Sequence, residues 1–250
     1  MAGSGAFATV AFARITAERT DEFSPAWFPD GERLAYSSDH VGFYDLYERP
    51  ASGGPEKILV RTKQDKIVPT LAPDGKSILY DASQAANYVR ILTPLSGGGD
   101  SVRLSENAGF SEEHPAISPD GRWCAFDSNE SGKRDVYVQL VAGGPKQQVS
   151  LGGGLTPVWN HDGSELFFVT QDETLMSASI RPNGSRLEIG DPQPLFPLRL
   201  GTTGEVQFSR HPFDVSPDGQ RVLVIRRAPE SEPAGAVVIT NWTALLKRGR

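Results

Sequence analysis

The chain has 250 residues, 22% of them charged, and a net charge of −6, which argues against a broad basic face for nucleic acid. Its 26 glycines and 19 prolines suit a fold that turns often, and its single cysteine, Cys124, excludes an internal disulfide. The length is ample for a sizeable core.

Met1–Gly5 reads as a start followed by a linker, and the apolar stretch Ala6–Ala13 is too short to span a bilayer and lacks a basic leader. No membrane insertion is expected. Phe7–Ala17 reads as a strand with no repeat of its own in front of it. A triplet then recurs five times: Pro29-Asp30-Gly31, Pro73-Asp74-Gly75, Pro119-Asp120-Gly121, the degenerate His161-Asp162-Gly163, and Pro217-Asp218-Gly219. Asp-Gly between two strand-like runs is a hairpin signal. Glycine accepts positive φ, aspartate bonds its own backbone across the turn, and proline presets φ at the first turn position.

The flanks repeat too. Each turn follows a short apolar run holding a proline (Ser24–Trp27, Val68–Leu71, His114–Ile117, Thr156–Trp159, His211–Val215) and precedes an apolar run such as Ser77–Tyr80 or Trp123–Phe126. Cys124 lies in one of these runs and reads as a buried, inert thiol. The Gly-to-Gly spacings are 44, 46, 42 and 56 residues. A multi-strand unit with a period in the low forties marks a propeller blade, whereas stacked helices would need a 3.6-residue rhythm that these runs lack.

The chain therefore reads as one all-β domain over 1–250: a β-propeller of five blades of four antiparallel strands, at about 21–62, 65–105, 112–150, 155–196 and 211–240. Blades one and three repeat most fully, with third strands Tyr44–Tyr47 and Asp135–Val138 followed by Gly-Gly-Pro turns at 53–55 and 143–145. In blade four, Pro182–Gly184 reads as a turn and Pro194–Phe196 as a fourth strand; 197–210 reads as a long loop, and 241–248 as a tail. Blade five lacks a fourth strand and the N-terminus has a spare one, so strand 7–17 is expected to close the last blade and remove two exposed sheet edges.

Repeats of this form, namely Ile117–Gly121 with Asp135–Tyr137 and Phe28–Gly31 with Asp45–Tyr47, resemble the TolB-like β-propeller family over nearly the whole chain. The ending, from Phe213 through Asn241-Trp242 to Lys247-Arg248, resembles the C-terminal propeller of bacterial signalling proteins, including serine/threonine kinases. The resemblance implies a non-catalytic scaffold for a protein or peptide partner, acting as a monomer, often extracytoplasmic and part of a larger protein. Relatives that cap prolyl-oligopeptidase-type hydrolases need a further α/β domain with a Gly-x-Ser-x-Gly elbow, and this sequence contains no such motif.

The turn aspartates recur because each blade needs the same turn, and Asp45 and Asp135 read as caps for backbone N–H groups. Residues just ahead of the first strands should stand near the central channel, since innermost strands line it. Asp21, Glu22, Asp65, Lys66, Glu112, Glu113, Arg210 and His211 are therefore the candidate ligand-binding residues, a mostly acidic mouth with a basic sector near blade five; a merely solvated rim is the plainer reading. Facing carboxylates also raise glycoside hydrolysis as an alternative, and a scaffold without its own ligand as another. No nucleophile–base pair, metal-ligand spacing or phosphate loop stands out: His40, His114, His161 and His211 are scattered, and the glycine runs at 97–99 and 152–154 open no helix. No catalytic residue, metal or cofactor is expected.

Overall fold

The computed structural model describes residues 20–96, 99–105, 109–198, 200, 212–216, 219, 221–225 and 236–240. They form five antiparallel sheets in chain order, and the described residues contain no helix. The first sheet holds β1 (Glu22–Trp27), β2 (Arg33–Ser38), β3 (Asp45–Pro50) and β4 (Lys57–Val60). The second holds β5 (Lys66–Leu71), β6 (Ser77–Gln84), β7 (Asn87–Pro94) and β8 (Val102–Arg103), and the third β9 (Glu112–Ile117), β10 (Trp123–Ser128), β11 (Asp135–Leu140) and β12 (Gln147–Gln148). Each of these three is a plain meander, with neighbours in sequence paired in space.

The fourth sheet carries a fifth strand. It holds β13 (Leu155–Trp159), β14 (Glu165–Val169), β15 (Thr174–Asn183), β16 (Arg186–Ile189) and β17 (Gln193–Pro197). The ten-residue β15 is long enough to serve twice. Its first half pairs with β17, while its second half folds back beyond Asn183 to pair with β16. The last sheet holds β18 (Phe213–Val215), β19 (Arg221–Ile225) and β20 (Ala236–Thr240). The closing strand expected at 7–17, the tail at 241–248 and most of the 197–210 loop lie outside the described residues.

The repeated triplet makes the expected turn. Gly31, Gly75, Gly121, Gly163 and Gly219 each donate an N–H to the residue three positions back, at 2.8–3.0 Å, with φ between 66° and 74°. The turn aspartates accept the following N–H groups: Asp30 from Glu32, Asp74 from Lys76, Asp120 from Arg122 and Asp162 from Ser164. The turns also stack from blade to blade. A Cβ added to Gly75 would stand 3.4 Å from Pro29 Cδ, and one on Gly121 would stand 3.7 Å from Pro73 Cδ.

The apolar runs build the core between sheets. One cluster joins Ala35 and Leu46 to Ile78 and Val89; the next joins Leu79 to Cys124 and Phe126. A third joins Trp123 and Val136 to Trp159 and Phe168, and a fourth joins Leu155 and Phe167 to Phe213 and Val222. The second, third and fourth sheets thus bury both faces, which a two-sided apolar strand requires. The first strands follow one another around the axis: β1 packs on β5, β5 on β9, β9 on β13 and β13 on β18. This places β1, β5, β9, β13 and β18 innermost.

Every inner strand of the first four sheets is bulged at the residue before its proline. Ser24, Val68, His114 and Thr156 take φ of 51°, 50°, 54° and 49°, each where the pairing register shifts. Positive φ is costly for a residue with a Cβ, and more so for β-branched Val68 and Thr156, so the surroundings must hold it. Two holders are visible. Asp81 Oδ2 accepts the His114 N–H at 2.9 Å, and Asp127 Oδ1 accepts the Thr156 N–H at 3.1 Å. Each is a carboxylate on the second strand of one blade gripping the first strand of the next.

Candidate functional site: the central channel

A cavity of about 920 Å³ runs along the inner strands and is lined by residues from all five sheets. Its wall repeats in rings. Pro25, Pro69, Pro115 and Pro157 form one ring; Pro29, Pro73 and Pro119 form another nearer the turns, with His161 in blade four. Between them lies the ring fixed by strand pairing: Ala26 opposite Ala35, Thr70 opposite Leu79, Ala116 opposite Ala125, Val158 opposite Phe167, and Asp214 opposite Leu223.

The prolines have a consequence for binding. An innermost strand has a free edge toward the channel, which would otherwise offer N–H groups to an incoming strand. One proline in each of β1, β5, β9 and β13 removes a donor from that edge and blunts strand addition. Recognition in the channel therefore falls to side chains and to carbonyl oxygens.

Two positions break the rings. Asp214 stands where the other blades have alanine, threonine or valine, and Phe213 stands before it at the proline level. Asp214 Oδ1 accepts the Val215 N–H at 2.8 Å. Asp214 is exposed to the channel space, and the partial desolvation it meets there raises its carboxyl above the ordinary value, which the Val215 bond only partly opposes. His161 replaces the turn proline, and its imidazole lines the cavity.

The residues singled out from the sequence are distributed differently. Glu22 lines the cavity and accepts from Thr20 Oγ1 at 3.1 Å. Asp21 is exposed at the start of β1 and accepts from the Tyr44 hydroxyl at 3.2 Å; Asp65 accepts the Tyr44 N–H at 3.0 Å. Lys66 is wholly buried, with its ammonium 2.8 Å from Asp45. Glu112 is also buried, bonded through Oε2 to Arg90 at 2.7 Å and through Oε1 to Lys146 at 3.0 Å. Glu113 pairs with Arg134, which also reaches Asp127. Arg210 and His211 lie outside the described residues.

Lys66, Glu112 and Glu113 are thus not side chains of an open rim. A strand start in a propeller faces the neighbouring blade as well as the axis; Lys66 and Glu112 turn to partners there, and Glu113 to Arg134 of its own blade. Burial pushes Glu112 up, but Arg90, Ser105 and Lys146 outweigh it and hold the carboxyl below its usual range. Arg90 also stacks 3.5 Å over the Phe126 ring. Asp127 likewise stays low despite burial, because His114 Nδ1 at 2.7 Å and Arg134 favour its charged form. Asp135 caps the link to blade four by accepting from Gly152 and Gly153 N–H groups, as its place before a strand tyrosine suggests.

Among the described residues no group of three or more His, Cys, Asp or Glu side chains could hold a metal ion, and no helix is long and apolar enough to cross a membrane. The channel residues His161 and Asp214 were not legible as a site from single repeats. Their signal is the column they break, which needs the pairing register of all five inner strands.

Two family models match the sequence: "Lipoprotein LpqB beta-propeller domain" over residues 104–241, and "TolB beta propeller domain" over residues 6–123. A 101-residue stretch is 35% identical to tricorn protease homolog 1 of Streptomyces coelicolor, covering 39% of this chain and 9% of that protein. Among solved structures, TolB from Acinetobacter baumannii superposes with a TM-score of 0.69 at 23% identity, over 91% of this chain and 53% of that one. An oligogalacturonate lyase in complex with manganese gives 0.62 at 16% identity, over 90% of this chain and 67% of that one. The chain spans about half of the Acinetobacter TolB and a small part of the tricorn homologue. At these identities the structural likeness concerns the fold, which is shared by binding proteins and enzymes.

Proposed function

Since this chain belongs to the LpqB and TolB family of β-propeller domains, we propose that it is a non-catalytic docking module that binds a segment of a protein partner in its central channel. The observation that carries this reading is the channel itself: about 920 Å³, walled by the inner strands of all five sheets, with prolines in place of edge donors. Such a cavity is large enough for several peptide side chains. The buried ion pairs of Lys66 and Glu112 hold adjacent blades together, Glu113 is paired within its own blade, and the binding is left to residues that face the axis. The module acts as a monomer within a larger protein, outside the cytoplasm; the lipoprotein named in the matching family model supports that place.

Affinity capture tests the reading. Charge reversal at Glu112 and Glu113 is a poor probe, because it would break these ion pairs. Thr70→Trp instead fills the channel from one wall. A partner retained by the intact chain and lost by Thr70→Trp, with the melting temperature of the two forms alike, is the expected result. Equal capture by both forms would place the binding surface elsewhere.

A further inference from the structure

We infer that the channel selects a partner segment carrying one positive charge, a lysine or arginine set among small or apolar residues, with Asp214 as the residue that determines this specificity. The inference rests on the docking reading above and names the chemistry of what docks.

The argument begins with the ring at the Asp214 level. At one pairing position of the inner strands, four blades present Ala26, Thr70, Ala116 and Val158, and the fifth presents Asp214. Nothing in the turn chemistry asks for a carboxylate there, since the turn aspartate follows four residues later at Asp218. Asp214 uses Oδ1 for the Val215 N–H, and among the described residues it has no ion-pair partner. The other described carboxylate in the channel wall is Glu22, whose Oε1 stands 4.0 Å from His40 Nε2. Among the described residues, no lysine or arginine lines the cavity.

An apolar wall strengthens the field of each carboxylate and makes an unpaired charge costly. A cation entering the channel relieves both. The wall is also poor in donors and rich in acceptors, because the prolines lack N–H groups while their carbonyls remain. An ammonium or guanidinium brings only donors and so fits that imbalance; a carboxylate-bearing or purely apolar segment does not. The walls beside Asp214 are proline, alanine and aromatic, which suits small or apolar neighbours to the cation. The raised Asp214 carboxyl agrees with this picture, since desolvation is its main cause.

The test uses the intact chain and three capped pentapeptides, Ala-Pro-X-Pro-Ala, with X lysine, norleucine or glutamate. Norleucine keeps most of the lysine stem and removes the charge. Titration calorimetry should show the lysine peptide binding about tenfold more tightly than the norleucine peptide, the size of one modest charge interaction, and the glutamate peptide not at all. Asp214→Asn preserves the acceptor for the Val215 N–H, and it should bring lysine and norleucine to within about twofold of each other. Thr70→Trp should abolish binding of all peptides. If norleucine binds as well as lysine, or if Asp214→Asn keeps the lysine preference, the charge selection is wrong while channel docking stands. Binding of none of the peptides at millimolar concentration also overturns the inference, and the Thr70→Trp capture comparison then decides docking separately.

Discussion

Asp81 shows how a single buried charge couples two blades and shapes the response to pH. It is fully buried on β6; its Oδ2 accepts the His114 N–H at 2.9 Å and its Oδ1 has no hydrogen-bond partner. Burial first, then Glu113 on β9 and Asp127 on β10, hold its carboxyl well above the ordinary value, against the His114 bond and Arg90 on β7. A carboxyl raised in the folded state favours folding when protonated. Its penalty is absent below the unfolded value of about 3.9 and grows as pH climbs from there toward the folded value. Asp81→Asn keeps the acceptor and removes the charge. We expect this variant to melt higher than the wild type at pH 8 and close to it at pH 4, as thermal unfolding across that range would show; a wild-type advantage at pH 8 would contradict the assignment. The aspartate was readable in the sequence only as part of an apolar strand, because its meaning lies in a bulge on the next blade.

At the scale of elements, the Pro-Asp-Gly turn does two things that can be separated. It reverses the chain, and it stacks on the turn of the preceding blade. Gly31 and Gly75 have nearly the same φ, 69° and 68°, but a Cβ on Gly31 meets nothing within 4 Å while one on Gly75 stands 3.4 Å from Pro29. Alanine at either position strains the backbone, at a cost of about 1 kcal/mol or more. Gly75→Ala should cost no more than Gly31→Ala, because the added methyl meets Pro29 at an ordinary van der Waals distance, as paired urea denaturation curves will measure; a clearly larger cost at Gly75 would mean the stacked turns leave no room for a methyl. The turn was legible in the sequence because its chemistry is local and repeated. Hairpin β15–β16 was half legible: Asn183-Gly184 announced a turn, but Arg186–Ile189 has no counterpart in the other blades, and only the ten-residue length of β15 gives it a partner. Strand starts misled for a related reason. Lys66 and Glu112 have the polarity of rim residues, yet partners 21 and 22 positions away, Asp45 for Lys66 and Arg90 for Glu112, draw them inside.

The whole molecule joins these scales into one arrangement. Five sheets stack in chain order through apolar faces, carboxylates on second strands grip the bulged first strands, and buried ion pairs tie the blades, so the axis is left lined by prolines and small residues. The number of repeats was readable from spacing and the family from the resemblance of the repeat motifs, but the channel was not, since it is a property of five strands set side by side. Ring closure by residues 7–17 remains a proposal about residues that the structure does not describe. The central claim is that a partner segment enters this channel. The most direct test places a photo-crosslinking amino acid at Thr70, in the channel wall, and separately at Val102, exposed on the outer strand β8, in the intact chain exposed to the same partner mixture. We predict a covalent partner from position 70 and none from position 102; crosslinking from position 102 alone would show that the channel is not where this propeller binds.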